Sequence, residues 1–309
     1  MKPANIVDTR NVQQYLRGIG CEVLRVTSRK TRAVIEIQKP SPELQQIAAA
    51  FTETVNGQQR QALHVPPLQS IVSLAEAADS ADIVVPDNVD VSLGDSSKSR
   101  GEFFVSTQGF LVPPTLSLAE VSTGALTELK SAPAKFDAST HVVEQFEATS
   151  SDGTKIPYFV TRPREMSGPA PTILFGYGGF QVSFPPAYKP EMGKLWLENG
   201  GVFVQANIRG GGEFGPNWHQ SVLRENRQLA FDDFAAVAQD LIARGIPSPR
   251  RLGIYGRSNG GVLTSVSITQ HPELFNAAVI ESPLIDMLRY HELPAGASWI
   301  GEYGDPRIP

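Results

Sequence analysis

The sequence predicts an α/β fold built on a parallel sheet, and three observations carry that expectation. Residues 172–175, 202–206, 252–255 and 277–280 are compact apolar runs bounded by glycine or proline, the pattern of strands buried on both faces. Between two of them, Phe231, Phe234, Val237, Ala238 and Leu241 fall on one helical face. Asp232 and Asp233 are expected in that helix's first turn, where acids suit its dipole, and Gly245 at its end. The third observation is a glycine-rich turn at 256–261 between an apolar strand pattern and a helical one, and strand–helix–strand alternation requires parallel strands. This part is expected to occupy residues 141–309.

The elements upstream follow in chain order. Residues 1–65 read as a small α+β segment: a helix over 11–19, strands over 22–26 and 33–37, and a helix over 41–55. That last helix has a Ser41-Pro42 start and Leu44, Ile47, Ala48 and Phe51 at helix spacing. The Asn56-Gly57 turn and a strand over 61–65 close the segment, in which no chemistry is legible. Pro66-Pro67 breaks the pattern, and 66–140 are polar and β-rich, with short strands at 83–85, 103–105, 116–118 and 126–129. A loop is expected at Ser122-Thr123-Gly124. Regular short strands suit propeller blades or a sandwich. At roughly 40–50 residues per blade, the stretch holds about two, a propeller remnant too short to close. Ser151-Asp152-Gly153-Thr154 reads as a hairpin turn into the α/β part.

Composition narrows the function. Hydrophobic residues at 41% and charged residues at 19% are those of a folded chain, which excludes disorder. A net charge of −5 without a basic block argues against nucleic acid as a partner. Cys21 is the single cysteine, which excludes an internal disulfide and a cysteine metal cluster. No apolar run approaches the roughly 20 residues of a membrane span, and the start lacks the apolar stretch of a secretory signal. The expectation is a soluble, cytoplasmic protein without cofactor, metal or membrane partner.

The sharpest chemical signal is Gly256-Arg257-Ser258-Asn259-Gly260, between strand and helix patterns. That is the setting of a nucleophile elbow, in which a cramped turn lifts a serine hydroxyl above the sheet. Glycines are needed because a Cβ two residues either side would strike the neighbouring strand or helix. The backbone N–H of Asn259, at a helix start, is then placed to bind an oxyanion. Gly176-Tyr177-Gly178-Gly179-Phe180 follows an earlier strand, where the loop supplies a second oxyanion donor, here the Tyr177 phenol. A core tyrosine beside a flexible turn is the bland alternative.

Together with Ala206-Asn207-Ile208-Arg209-Gly210-Gly211-Gly212-Glu213-Phe214-Gly215, Phe231-Asp232-Asp233-Phe234 and Trp299-Ile300-Gly301-Glu302-Tyr303-Gly304, these motifs occur in the order seen in one family. From about residue 141 to 309 the chain resembles the prolyl oligopeptidase family of serine peptidases, more weakly over 68–140 and not over 1–65. The resemblance implies an α/β-hydrolase domain joined to a β-propeller that admits short peptides. It implies Ser258 as nucleophile, with Tyr177 and Asn259 as oxyanion donors. It also implies that Trp299 stacks on a substrate proline, with Phe180, Leu284 and Tyr303 near the same pocket. Gly178-Gly179-Phe180 and Trp299 favour the proline-directed branch, so the implied partners are short proline-containing peptides.

A serine needs a histidine to take its proton and a carboxylate to orient that histidine. In this fold both follow the serine, on loops after two further strands. The last strand placed here is 277–280, so the triad Asp and His are expected to be missing and these 309 residues inactive alone. Asp286 and His291 follow in the right order, but five apart on an expected helix they do not face each other. His219 reads as loop packing, His271 as a helix end, and His64 and His141 as lying outside the core. Gly210-Gly211-Gly212 lacks the lysine of a phosphate loop, and Arg209 and Glu213 are expected to fix that loop. Asp232 and Asp233 are read as helix-start acids rather than a catalytic pair. Two alternatives stand beside the peptidase: a non-catalytic truncated or fusion product in which 1–65 is an unrelated binding module, and a general esterase on the same fold.

Overall fold

The computed structural model describes residues 22–29, 32–38, 51–55, 58–64, 70–72, 82–97, 101–120, 123–294 and 296–308. The expected helix at 11–19, the first ten residues of the one at 41–55, Cys21, and the Asn56-Gly57 and Pro66-Pro67 turns lie outside them. The chain divides into two compact units, Met1–Ala134 with Pro185–Tyr188, and Lys135–Phe184 with Lys189–Pro309.

In the first unit, β1 (Glu22–Arg29), β2 (Arg32–Gln38), β3 (Phe51–Val55) and β4 (Gln58–His64) form a sheet in the order β1-β2-β4-β3. The expected helix over 41–55 is corrected at its C-terminal end, because Phe51–Val55 is a strand. Its Thr52, Thr54 and Val55 are β-branched, which favours extended backbone, and Val55 pairs directly with Gln58. β5 (Ser70–Val72) and β6 (Asp82–Val84) form a separate antiparallel pair. β7 (Val89–Ser97), β8 (Glu102–Gly109), β9 (Thr115–Glu120) and β10 (Leu126–Ser131) form one antiparallel meander. β7 was not foreseen from the sequence, since Gly94 interrupts its alternation. The meander's core is Val85, Val89, Phe103, Val105 and Ala119, and β8 alternates, with Phe103 and Val105 inward and Phe104 outward.

The second unit is built on β11 (His141–Thr149), β12 (Lys155–Pro163), β13 (Thr172–Phe175), β14 (Val202–Ala206), β15 (Leu252–Arg257) and β16 (Ala277–Glu281). Their order is β11-β12-β14-β13-β15-β16. β11, β12 and β14 pair antiparallel in sequence, and β14, β13, β15 and β16 are parallel. The helices are α1 (Pro190–Leu195), α2 (Pro216–Gln220), α3 (Gln228–Ala243), α4 (Asn259–Gln270) and α5 (Ile300–Tyr303). The expected turn at 151–154 joins β11 to β12, with Gly153 left-handed at φ 84°.

Packing follows the predicted pattern at the centre of the sheet and departs from it at the edge. β14 is buried along its whole length. α3 lays Phe234, Val237, Ala238 and Leu241 in the same core as Leu174, Val204 and Ile254. Each of these side chains except that of Ala238 contributes about 1.5–3 kcal/mol on burial. β16 is different. Among the described residues it pairs with β15 alone, and Ala277 and Val279 are exposed, so the expectation of burial on both faces fails for this strand. α3 also begins at Gln228, a turn earlier than expected, which moves Asp232 and Asp233 out of the first turn. Asp233 is fully buried, where its acceptors are used by Arg209 and Ser150 and not by the helix dipole.

Candidate active site

The parallel pairing of β13 with β15 sets Phe175 beside Tyr255, so the loops leaving both strands rise side by side at their C-terminal ends. Ser258 sits in the second loop with φ 58° and ψ −117°, a region that costs a non-glycine residue on the order of 1–3 kcal/mol. Surrounding contacts hold it there. Its N–H donates to Glu281 O at 2.9 Å, and its carbonyl accepts from Gly261 N–H at 2.9 Å. A Cβ on Gly256 would lie 1.9 Å from Gly260 O, and one on Gly260 would lie 2.6 Å from Gly176 O. The glycines at the elbow are therefore required by close backbone approach, as the motif implied.

Ser258 is half-buried and immediately precedes α4, whose N-terminal backbone N–H groups have no carbonyl within the helix to bond. Asn259 opens that helix. Its side chain is fully buried, donating from Nδ2 to Tyr177 O at 2.5 Å and accepting at Oδ1 from the Tyr303 hydroxyl at 2.5 Å. Asn259 thus welds the elbow to the loop after β13. Burial raises the Tyr177 hydroxyl above its ordinary pKa, with the nearby Ser258 hydroxyl pulling it back. The phenol stays protonated and available as a donor at neutral pH.

Phe180, Trp299 and Tyr303 come together as an aromatic wall. Trp299 meets Phe180 edge-on with centroids 4.8 Å apart and stacks on Tyr303 at 5.6 Å. Burial pushes the Tyr303 hydroxyl up to about 12. Leu284 is half-buried in the loop after β16, and it has no ring or polar group with which to join these contacts.

Two buried groups, Glu302 and Arg227, and the half-buried His219 were missed or misread in the sequence. Glu302, 4% exposed, accepts Phe180 N–H at 2.8 Å, Arg227 Nη1 at 3.1 Å and bonds His219 Nε2 at 2.8 Å. Arg227 Nη2 also reaches Gly178 O at 2.5 Å, and its guanidinium lies 4.6 Å over the Tyr303 ring. The expectation of loop packing for His219 is corrected: it lies on α2, and a buried carboxylate engages it. The sequence shows only an acid set between Trp299 and Tyr303, and nothing local names its partners.

His141, His219, His271 and His291 each have partners away from Ser258. His141 opens the edge strand β11 and is buried, its Nε2 at 3.0 Å from Leu197 O. His271 caps α4 as expected and bonds Glu273. Asp286 and His291 do not share a helix: Asp286 is bound by Arg289 at 2.5 Å in a turn, and His291 lies in the short helix Tyr290–Glu292 beside Glu292. In the Gly210-Gly211-Gly212 loop, a Cβ on Gly210 would lie 2.3 Å from Gly178 O and one on Gly212 2.4 Å from Gln181 O. Arg209 and Glu213 fix this loop through separate partners. Arg209 Nη2 pairs with Asp233 at 2.6 Å, and Glu213 accepts Phe184 N–H at 3.0 Å. Among the described residues, no group of His, Cys, Asp and Glu could hold a metal ion, and no helix is long and apolar enough to cross a membrane.

With this geometry in place, the similarity to known proteins is specific. Residues 189–308 match the prolyl oligopeptidase family, and residues 2–65 match the Kil protein family. An uncharacterized peptidase of Sinorhizobium fredii is 50% identical over 229 residues, 74% of this chain and 32% of that protein. A prolyl endopeptidase of Elizabethkingia meningoseptica is 36% identical over 72% of this chain and 32% of its own length. A post-proline cleaving enzyme from Rickettsia typhi superposes with a TM-score of 0.67 at 37% identity, covering 94% of this chain and 39% of that one. Over the part these matches cover, the chain belongs to the prolyl oligopeptidase family. It spans about a third of the length of the curated relatives it matches.

Proposed function

We propose that the second unit carries the nucleophile and the proline-recognition half of a serine peptidase acting on short peptides after proline. The observation that carries this is the convergence of three features at one strand end. Ser258 stands strained before α4, the Tyr177 hydroxyl lies near enough to it to feel its hydroxyl, and an aromatic wall of Phe180, Trp299 and Tyr303 adjoins the same loop. A flat apolar ring such as proline gains dispersion against such a wall without needing a hydrogen bond. Attack by Ser258 Oγ on the carbonyl after proline would place the developing oxyanion between the Tyr177 hydroxyl and the Asn259 N–H, where fixed donors stabilise it.

The proton on Ser258 has no evident destination among the described side chains, since His141, His219, His271 and His291 are each engaged elsewhere. We therefore infer that this chain alone turns over little, and that the base comes from polypeptide docking along β16. Ala277 and Val279 are exposed on that edge strand. The Kil family match over 2–65 favours a second reading for the N-terminal part, as a module unrelated to peptide cleavage.

Release of a fluorescent amine from N-blocked Gly-Pro and Gly-Ala amides, by the chain and by Ser258→Ala, tests the reading. The expected result is equal, near-background rates, because an oxyanion hole without its base retains little catalysis. A Ser258-dependent rate selective for proline would overturn the inactivity and place a base within reach. A Ser258-dependent rate indifferent to proline, matched by ester cleavage, would favour the general esterase.

A further inference from the structure

We infer that Glu302 is a positioning residue: its carboxylate sets the aromatic wall and the oxyanion loop in register with Ser258, and Arg227 and His219 hold the carboxylate in place. The inference rests on the proline-directed reading above and assigns it a residue outside the reacting groups. Three segments far apart in sequence meet on Glu302. Oε1 accepts Phe180 N–H at 2.8 Å and Arg227 Nη1 at 3.1 Å, while Oε2 bonds His219 Nε2 at 2.8 Å. The backbone at Phe180 needs such a hold. Phe180 and Gln181 are consecutive non-glycine residues in the left-handed region, with φ of 56° and 55°, which a free loop would leave.

Arg227 extends the same clamp to the elbow. It is 6% exposed, and its Nη2 reaches Gly178 O, Asn259 Oδ1 at 3.3 Å and the Tyr303 hydroxyl at 3.2 Å. Glu302 is the chain neighbour of Tyr303, which stacks on Trp299, which in turn meets Phe180. The two ends of the aromatic wall are thus joined through one carboxylate as well as through their rings. Loss of that carboxylate would free the Phe180 amide and leave the Arg227 guanidinium buried without its counter-charge, loosening the wall and the oxyanion loop together.

A purely structural ion pair would predict loss of stability and nothing else, so the test separates the two. Calorimetric titration of the full chain with N-blocked Gly-Pro and Gly-Ala acids, the products of the proposed cleavage, reads proline preference. Melting temperature and the Phe180 amide proton resonance are read alongside. The variants are Glu302→Met and the double Glu302→Met/Arg227→Met, in which neither charge is left unpaired.

The expected result is a proline preference in the parent that falls by about 10-fold or more in both variants. The Phe180 amide proton moves upfield in both, and the double variant regains melting temperature over the single. A double variant with restored melting and an undiminished preference, or a Phe180 resonance that does not move, overturns the inference alone. A parent without proline preference, whose Phe180 resonance still moves on Glu302→Met, overturns the peptidase reading and the substrate role of the clamp with it, while the hydrogen bond stands.

Discussion

Two arginines are buried in the second unit, and they do different work. Arg209 is surrounded by Asp233, Asp152 and Ser150, so it fastens the loop after β14 to α3 and to the turn between β11 and β12. Its partners are scaffold. Arg227 is surrounded by Glu302, Gly178 O, Asn259 and Tyr303, all belonging to the site or its immediate walls. Equal burial of a charge therefore says little about its role; the segments its partners belong to decide whether a break is felt in stability alone or in recognition too.

The largest expected effect breaks the scaffold side of this comparison. Asp233→Ala leaves Arg209 facing a void in a fully buried position, and should destabilise by about 3–5 kcal/mol, read by denaturant unfolding. The stable fraction should keep the parent's preference for a proline-ended peptide, unlike the Glu302 variants. Next comes the elbow. Gly256→Ala places a Cβ 1.9 Å from Gly260 O, and with backbone on that side it should cost at least about 2 kcal/mol and loosen the Ser258 turn. Unfolding of Gly256→Ala at the parent's denaturant midpoint would show that the turn relaxes freely.

The smallest effect sharpens the Arg209 cluster. The Arg209 hydrogen bond holds Asp152 at about 2, below the usual 3.8. Its folded pKa is depressed, so its stabilising contribution is complete above about pH 4 and is lost as the pH falls toward about 2. Asp152 is a third exposed, which limits the contribution to about 1 kcal/mol or less after screening. Asp152→Asn should flatten the acid limb of the stability profile over that window and leave pH 7 stability only slightly lower. An unchanged acid limb would mean that the pair does not form in solution.

What could be read in the sequence follows from range. Strands 172–175, 202–206, 252–255 and 277–280 were legible because apolar runs between glycines and prolines are local signals, and so was the elbow, where Gly256 answers to Gly260 four residues on. Phe51–Val55 was misread because a helix-spaced set of apolar residues ran into it, while its β-branched residues and its pairing with Gln58 decide otherwise. The start of α3 was misplaced because acids beside an apolar face mimic a first turn. Asp233 is in fact held by Arg209, 24 residues earlier. Glu302, Arg227 and His219 were not legible, because 75 and 83 residues separate Glu302 from its two partners and only the fold brings them together. The exposure of β16 was hidden for a similar reason: an edge strand and a central one read alike until neighbours are counted.

The claim on which the functional account depends is that Ser258 Oγ adds to a carbonyl held by Tyr177 and Asn259. An N-blocked Gly-prolinal with its aldehyde carbon isotopically labelled reports this addition by NMR, as conversion of the aldehyde resonance to a hemiacetal one. The account expects the hemiacetal with the parent chain, none with Ser258→Ala, and at least about 10-fold weaker adduct formation with Tyr177→Phe. An adduct that persists in Ser258→Ala, or none with the parent at saturating aldehyde, would contradict it.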